Sequence, residues 1–321
     1  MNRFLIRTLA PAFAGLLLGG CSIKRMAINR IGNALASGGS TYASDDDPEL
    51  VGEALPFGLK LIESLLAESP KHKGLLLAAA SGFTQYGYVY VAQPADLSAA
   101  ENLDRSTYLR RRARKLYLRA YTYGVRGLEA SYPGLAGALD DEAAAALARV
   151  RKQDVPLLYW TAAAQGLAIS VSKDDPEMIA RLPLVEAIVK RALELDEGWG
   201  GGALHEFLIS MESARVGVKP EEAQQRMKRH FERSLELSGG LRAGVFVTYA
   251  ENACVISQDR GRFKDLLEKA LGVNPDAQPE NRLANLVAQR RALWLLGRMD
   301  ELFLEGAAED AKFVSAAGGT R

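Results

Sequence analysis

The sequence predicts an all-α fold built of helix pairs stacked one on the next. Three observations carry that expectation. Apolar residues recur with a period near 3.6, as at Leu50, Val51, Ala54, Leu55, Leu59, Ile62 and Leu65. Strand-like alternation is almost absent: Tyr86, Tyr88 and Tyr90 alternate, but they follow LLLAAASGF, whose alanines and leucines favour a helix. Similar helix endings recur along the chain, each followed by a turn.

The endings set the repeat. Leu65 before Pro70, Leu128 before Pro133, Ala192 before Glu197, Ser234 before Gly239 and Ala270 before Pro275 all stand five residues before a turn. Their spacings are 63, 64, 42 and 36 residues. Only the last approaches the roughly 34 residues of a tetratricopeptide (TPR) unit, and the first two suit a unit plus an inserted segment. The expected architecture is an irregular TPR-like helical-repeat array, an α-α superhelix with inserted helices, over 47–305. The clearest junction is LVEAIVKRALELDEGWGGGALH at 184–205, where an amphipathic helix closes on acidic residues and glycines lead into the next helix.

Residues 1–20 are expected to be a lipoprotein signal peptide. Arg3 and Arg7 give a positive start, and residues 9–20 are an apolar run too short for a finished transmembrane helix. Leu18, Gly19 and Gly20 then precede Cys21, an order that resembles a bacterial lipobox, so Cys21 is the expected lipid anchor. With Ser22 and no aspartate after the cysteine, the expected location is the outer membrane, facing the periplasm. Multiple acyl chains, at about 0.8 kcal/mol per buried methylene, would make such an anchor effectively permanent. Residues 21–46 are small and polar and suit a spacer. It ends at the acidic helix start Asp45, Asp46, Asp47 and Pro48.

The helices then follow in order. Residues 48–67 form the first and 74–91 its partner, with an insertion at 92–104. A long helix at 105–132 carries Arg110, Arg111, Arg112, Arg114 and Lys115, while Leu109, Ala113, Leu116 and Tyr117 mark its inward stripe. Helices at 140–150, 156–171, 177–195, 203–215, 220–237, 241–257, 262–271 and 279–303 complete the array. The tail from 306 is small and polar and is expected to be disordered.

Composition excludes several functions. The 321 residues carry a formal net charge of +1, and loss of Arg3 and Arg7 with the leader leaves 38 basic against 39 acidic residues. No global field attracts nucleic acid, and the basic run reads as a solvated face. Three histidines and two cysteines do not make a protein-built zinc site, and His72, His205 and His230 lack partners at ligand spacing. Cys254, left alone if Cys21 is acylated, reads as a small buried hydrophobe. Glu251 and Asp259 could pair as carboxylates, although ion pairing with Arg260 or Arg262 is the plainer use. The glycines before Ala203 follow a helix rather than a strand and hold no lysine, which argues against a phosphate loop. With no serine elbow or metal motif either, a catalytic function and a cofactor are not expected.

Several segments, in order, carry a family resemblance: YWTAAA at 159–164, ALELD at 192–196 with GGALH at 201–205, HFERSL at 230–235, QDR at 258–260, and RLAN at 282–285 with ALWLL at 292–296. Together they resemble the TRAP transporter T-component family of TatT-like lipoproteins, over residues 47–303. The resemblance implies a non-catalytic accessory that docks with a periplasmic TRAP solute-binding protein and lines a path or cavity for a small-molecule ligand. Transport coupling would belong to membrane permease subunits. A homo-oligomer, a trimer in the first instance, is the expected assembly. Glu197 in place of a turn proline and the long insertions depart from the repeat pattern and leave the groove unmapped.

Alternate helices of a stacked array line its concave face. Aromatic and amide residues near helix starts are therefore the candidates for ligand or partner binding: Tyr159, Trp160, Trp199, His205, Tyr249, Asn252, Arg282 and Asn285. Trp160 and Tyr249 also suit a core, and Asn252, Arg282 and Asn285 suit interhelix backbone contacts. An aromatic-lined cavity would take an apolar ligand, whereas an acidic ligand would need an arginine turned inward. A scaffold for cell-envelope or outer-membrane assembly is the alternative function.

Overall fold

The computed structural model describes residues 30–34, 39–215 and 217–304. The leader 1–20, Cys21 and the tail 306–321 lie outside the described residues. Among the described residues the chain is all α, with no strand. Ten helices span seven residues or more: α1 (Pro48–Glu68), α2 (Lys73–Gly87), α3 (Leu103–Ser131), α4 (Val155–Ser170), α5 (Leu182–Asp196), α6 (Ala203–Ser213), α7 (Pro220–Ser238), α8 (Ala243–Tyr249), α9 (Arg260–Leu271) and α10 (Arg282–Leu296).

Local chemistry sets their ends. Asp47 Oδ1 accepts from Leu50 N at 3.0 Å and Pro48 opens the first turn, so the acidic start caps α1 as the sequence suggests. Asn102 caps α3 and Asp259 caps α9 in the same way. Pro183 near the start of α5 separates it from the short helix Pro176–Ile179, so the expected helix 177–195 is two pieces. The expected helix 74–91 is α2 followed by a π turn, Tyr88–Ala92, which runs directly into the helix Gln93–Ser98. Much of the expected insertion 92–104 is thus a continuation of α2. A second π turn, Ala250–Cys254, extends α8.

The packing order is regular although the repeat lengths are not. Each even-numbered helix from α2 to α8 packs against the odd-numbered helix after it and also against the next even-numbered one. The odd-numbered helices make no comparable contacts with one another. The even helices therefore form the inner row, because only the tighter circumference brings successive members together. The five repeat-end residues Leu65, Leu128, Ala192, Ser234 and Ala270 fall on α1, α3, α5, α7 and α9, the outer row. The last inner helix, α10, also meets α1 and the short helix Gly39–Ala43, so the two ends of the array touch. Residues 39–46, expected as spacer, contribute to that meeting.

Three apolar clusters hold the stack. One joins α1, α2, α3 and α4 through Leu59, Leu66, Leu76, Phe83, Ala120 and Ala164. A second runs from Val91 to Met211, and a third from Ile209 to Phe303. Ile209 and Met211 share α6, so the second and third cores meet there. Cys254 is 1% exposed in the third, and burial pushes its thiol up to about 12, consistent with a packing role. The basic run of α3 faces outward as expected, with Arg110 bonded to Asp96 and Arg114 to Asp175.

The junction 196–206 shows why its glycines are needed. Gly200, Gly201 and Gly202 have φ of 62°, 59° and 86°, left-handed values that a β-carbon disfavours by roughly 1–2 kcal/mol. At Gly202 a β-carbon would also lie 3.0 Å from Ser234 Cα and O, because Ser234 Oγ donates to Gly202 O at 3.0 Å. Gly202→Ala is therefore expected to destabilise the protein by about 2 kcal/mol, read from denaturant unfolding. Gly198→Ala, where φ is −77° and a β-carbon would meet open space, serves as the neutral comparison.

Candidate functional site

Inner-row helices bring a set of polar side chains together that are remote in sequence. Arg291 on α10 donates from Nε and Nη2 to Glu251 Oε1, at 3.1 and 2.7 Å, and Nη2 also lies 3.2 Å from Asp96 Oδ2. Arg242, just before α8, donates to Glu206 Oε2 of α6 at 2.7 Å and to Gly200 O at 3.1 Å. Tyr88, in the π turn after α2, feels both groups: burial raises its phenol pKa, and the Glu251 and Glu206 carboxylates add to the rise.

These side chains are only partly shielded from water. Tyr88 is 39% exposed, and the Glu251 side chain is 25% exposed. Burial nevertheless raises the Glu251 pKa, with Arg291 opposing the rise. Tyr88, Glu206, Glu251 and Arg291 all lie on inner-row helices or on the π turns that extend them, and together they make up the inner wall. Arg291 shows the complementary balance: burial disfavours its charge, but Glu251 outweighs that and raises its pKa. Both π turns deliver a residue to this wall, Tyr88 in the first and Glu251 in the second. A π turn swings the following side chains off the α register, which makes such turns frequent at functional sites.

An aromatic group adjoins the polar one. The Tyr159 ring lies 4.9 Å from Trp160, 4.6 Å from Trp199 and 6.5 Å from Phe207, centroid to centroid. Burial pushes the Tyr159 phenol up to about 12, with Glu206 adding to the rise and Arg242 opposing it. The structure thus unites Tyr159, Trp160 and Trp199 beside the Arg242–Glu206 pair, all on or next to the inner row.

The other candidates sit elsewhere. Tyr249 is buried and stacks on Phe231 at 4.3 Å. Asn252 donates to Thr248 O at 2.8 Å and accepts from Ser213 Oγ at 2.7 Å, tying the second π turn to the end of α6. Asn285 is 2% exposed; it accepts from Ala243 N and donates to Leu241 O, and so clips the start of α8. Arg282 bonds Asp276 and donates to Ser44 O at 2.9 Å, across the meeting of the chain's two ends. Glu251 pairs with Arg291 rather than with Arg260 or Arg262, and Asp259 is a helix cap, so these carboxylates do not form a pair with each other.

His205 belongs to a separate cluster at the α5–α6–α7 junction. Its Nε2 lies 3.1 Å from Glu197 Oε1, its Nδ1 lies 3.0 Å from His230 Nδ1, and Arg233 holds both Glu197 oxygens at 2.8 Å. A neutral His205 donating Nε2–H to Glu197 accepts at Nδ1, so His230 supplies the shared proton. The two rings cannot both be charged at this distance. Burial, helped by His205, lowers the His230 pKa to about 4, and burial also lowers that of His205. Arg233 and His205 hold Glu197 down to about 2, so Glu197 does in this junction what a turn proline would not.

A histidine with a depressed pKa stabilises the fold above its ordinary value of 6.5, and the contribution is lost as pH falls through about 4. With screening of a partly exposed ring allowed for, the loss is about 2 kcal/mol. Denaturant unfolding at pH 7 and pH 5 is expected to show part of this loss in the wild type and a smaller one in His230→Phe. Equal losses in the two proteins would exclude the histidine pair as the cause.

Among the described residues no group of three or more His, Cys, Asp or Glu side chains is arranged to hold a metal ion. Two open surface clefts, beside Lys73 and Asp154 and beside Leu139 and Arg181, lie away from the inner wall.

Taken together, the fold and the inner wall define a stacked-helix protein whose inner row carries a mixed aromatic and charged group. The chain belongs to the TRAP transporter T-component family, whose sequence pattern it matches over residues 44–303. A relative described as an uncharacterized protein of Treponema pallidum (strain Nichols) is 27% identical, over 94% of this chain and 98% of the relative. Membership points to a role in TRAP transport, as a transporter component, and implies interaction with transporter partners. It is consistent with association with the cell envelope, and no helix among the described residues is long and apolar enough to cross a membrane.

Proposed function

We propose that this chain is a non-catalytic, lipid-anchored lipoprotein, held through Cys21 at the outer membrane and facing the periplasm, that docks with a TRAP solute-binding protein. In this reading its helix pairs are TPR-like units, and the inner wall contributes the ligand path. The observation that carries it is the inner-row group in which Tyr88, Glu206, Arg242, Glu251 and Arg291 adjoin the Tyr159–Trp160–Trp199 aromatic cluster. Rings supply apolar contact at low entropic cost, and the paired charges fix orientation without leaving a bare ion. A small molecule with an apolar body and a polar end fits that lining.

The test is cross-linking in whole cells, followed by affinity capture of the chain from detergent extract and identification of its partners. Recovery of a TRAP solute-binding protein is the expected result. Recovery of outer-membrane assembly proteins without it would replace this reading with the assembly-scaffold one.

A further inference from the structure

The two ends of the array meet differently from every other pair of neighbours. None of the three apolar clusters reaches across from α8–α10 to α1, α2 or the helix Gly39–Ala43; the third contains no described residue before Ile209. The bonds across the meeting are polar. Arg290 pairs with Glu49 at 2.6 Å, Arg291 with Asp96 at 3.2 Å, and Arg282 donates to Ser44 O at 2.9 Å. One of the three lies in the open, with Arg290 and Glu49 51% and 66% exposed at the side chain, while in the second Arg291 is 13% and Asp96 38% exposed. Exposed pairs of this kind contribute little and are screened by salt.

The apolar residues of α1 and α10 near the Arg290–Glu49 and Arg291–Asp96 bonds divide, with Val51 1% and Val287 7% exposed and others in solvent. Leu50 adjoins Glu49 and is 57% exposed; Leu97 adjoins Asp96 and is 50% exposed; Leu293, one turn beyond Arg290, is 61% exposed.

We propose that the meeting of α1 and the helix Gln93–Ser98 with α10 is a polar latch, at which the ring opens sideways while the rest of the array stays folded. Opening separates Arg291 from Asp96, and so exposes the Arg291–Glu251 part of the inner wall along one side. Arg282, Arg290 and Arg291 all lie on α10, so this one helix carries the moving half of the latch. The inference concerns the backbone alone and stands whether or not the wall binds a ligand.

Hydrogen exchange of the full-length chain in detergent tests it, comparing wild type with Glu49→Ala/Arg290→Ala at about 0.05 M and about 0.5 M salt. Exchange in α10, the start of α1 and residues 93–98 is expected to rise by about two- to fivefold in the variant at low salt. High salt is expected to do the same to the wild type and to add little to the variant, with α4 and α5 unchanged throughout. Bridging Glu49→Cys and Arg290→Cys with a short bis-maleimide should reverse the rise, Cys254 being too buried to compete. Exchange at the latch that stays constant, that rises only together with α4 and α5, or that survives the bridge would overturn the proposal.

Discussion

Arg291→Ala is expected to destabilise the protein by about 3 kcal/mol near neutral pH, the usual cost of removing one partner of a largely buried ion pair. Arg291 is 13% exposed at the side chain, and two of its nitrogens share Glu251 Oε1. Its guanidinium also lies 4.2 Å from the Trp294 ring centroid, so packing is lost with the charge. What remains is a carboxylate that burial already pushes above its ordinary value. The sign of the pH dependence follows. A carboxyl with a raised folded pKa is accommodated as the neutral acid at low pH and penalised as pH rises through that pKa. The gap between variant and wild type should therefore narrow on acidification, and Arg291→Ala/Glu251→Gln should recover much of the loss. Denaturant titrations across pH check this. A gap that is independent of pH would mean that lost packing, not the stranded carboxylate, is the cause.

Gly124→Val is expected to cost about 3 kcal/mol, at the upper end of ordinary overpacking. The α3–α4 contact lets two backbones approach closely. A β-carbon at Gly124 would overlap Thr161 Oγ1 and lie 3.2 Å from Thr161 Cα, and one at Gly127 would lie 2.6 Å from Leu157 Cδ2. Thr161 cannot swing clear freely, because its hydroxyl donates to Leu157 O at 2.6 Å within a fully buried turn. The inner helix α4 must then shift, and it carries Tyr159 and Trp160. Thermal unfolding of Gly124→Val alone and with Thr161→Ala measures the effect, and a partial rescue in the double variant is expected. An unchanged melting temperature in the single variant would show that α3 and α4 are not locked at this point.

The array was legible in the sequence because outer helices announce themselves. Leu128, Ala192, Ser234 and Ala270 are each buried at the end of an outer helix, where packing demands a small residue or leucine and the turn that follows demands proline, glycine or a cap. The aromatic group was legible in the same local way, since Tyr159, Trp160 and Trp199 are large and sit near helix starts. The charged wall was not. Glu206, Arg242, Glu251, Arg291 and Asp96 each resemble surface residues when read alone, and their meeting is set by the curvature of the stack, which no local period encodes.

One signal did exist. Tyr86, Tyr88 and Tyr90 alternate against the helical period, and the structure resolves that conflict with a π turn beginning at Tyr88. An unbroken helix over 74–91 has no such change of register after Tyr88. The histidines were legible only as unlikely metal ligands. That His205 and His230, 25 residues apart, meet at hydrogen-bond distance follows from the packing of α6 against α7.

The central claim is that this chain both docks with a TRAP solute-binding protein and accepts its ligand on the inner wall. Native mass spectrometry of a mixture tests both halves at once, using the purified chain and a solute-binding protein carrying whatever small molecule it retains from its own cells. The account expects a binary complex, and expects that small-molecule mass to appear on this chain in the wild type but not in Tyr159→Ala/Trp199→Ala. A small molecule that never leaves the binding protein, or two proteins that never associate, would contradict it.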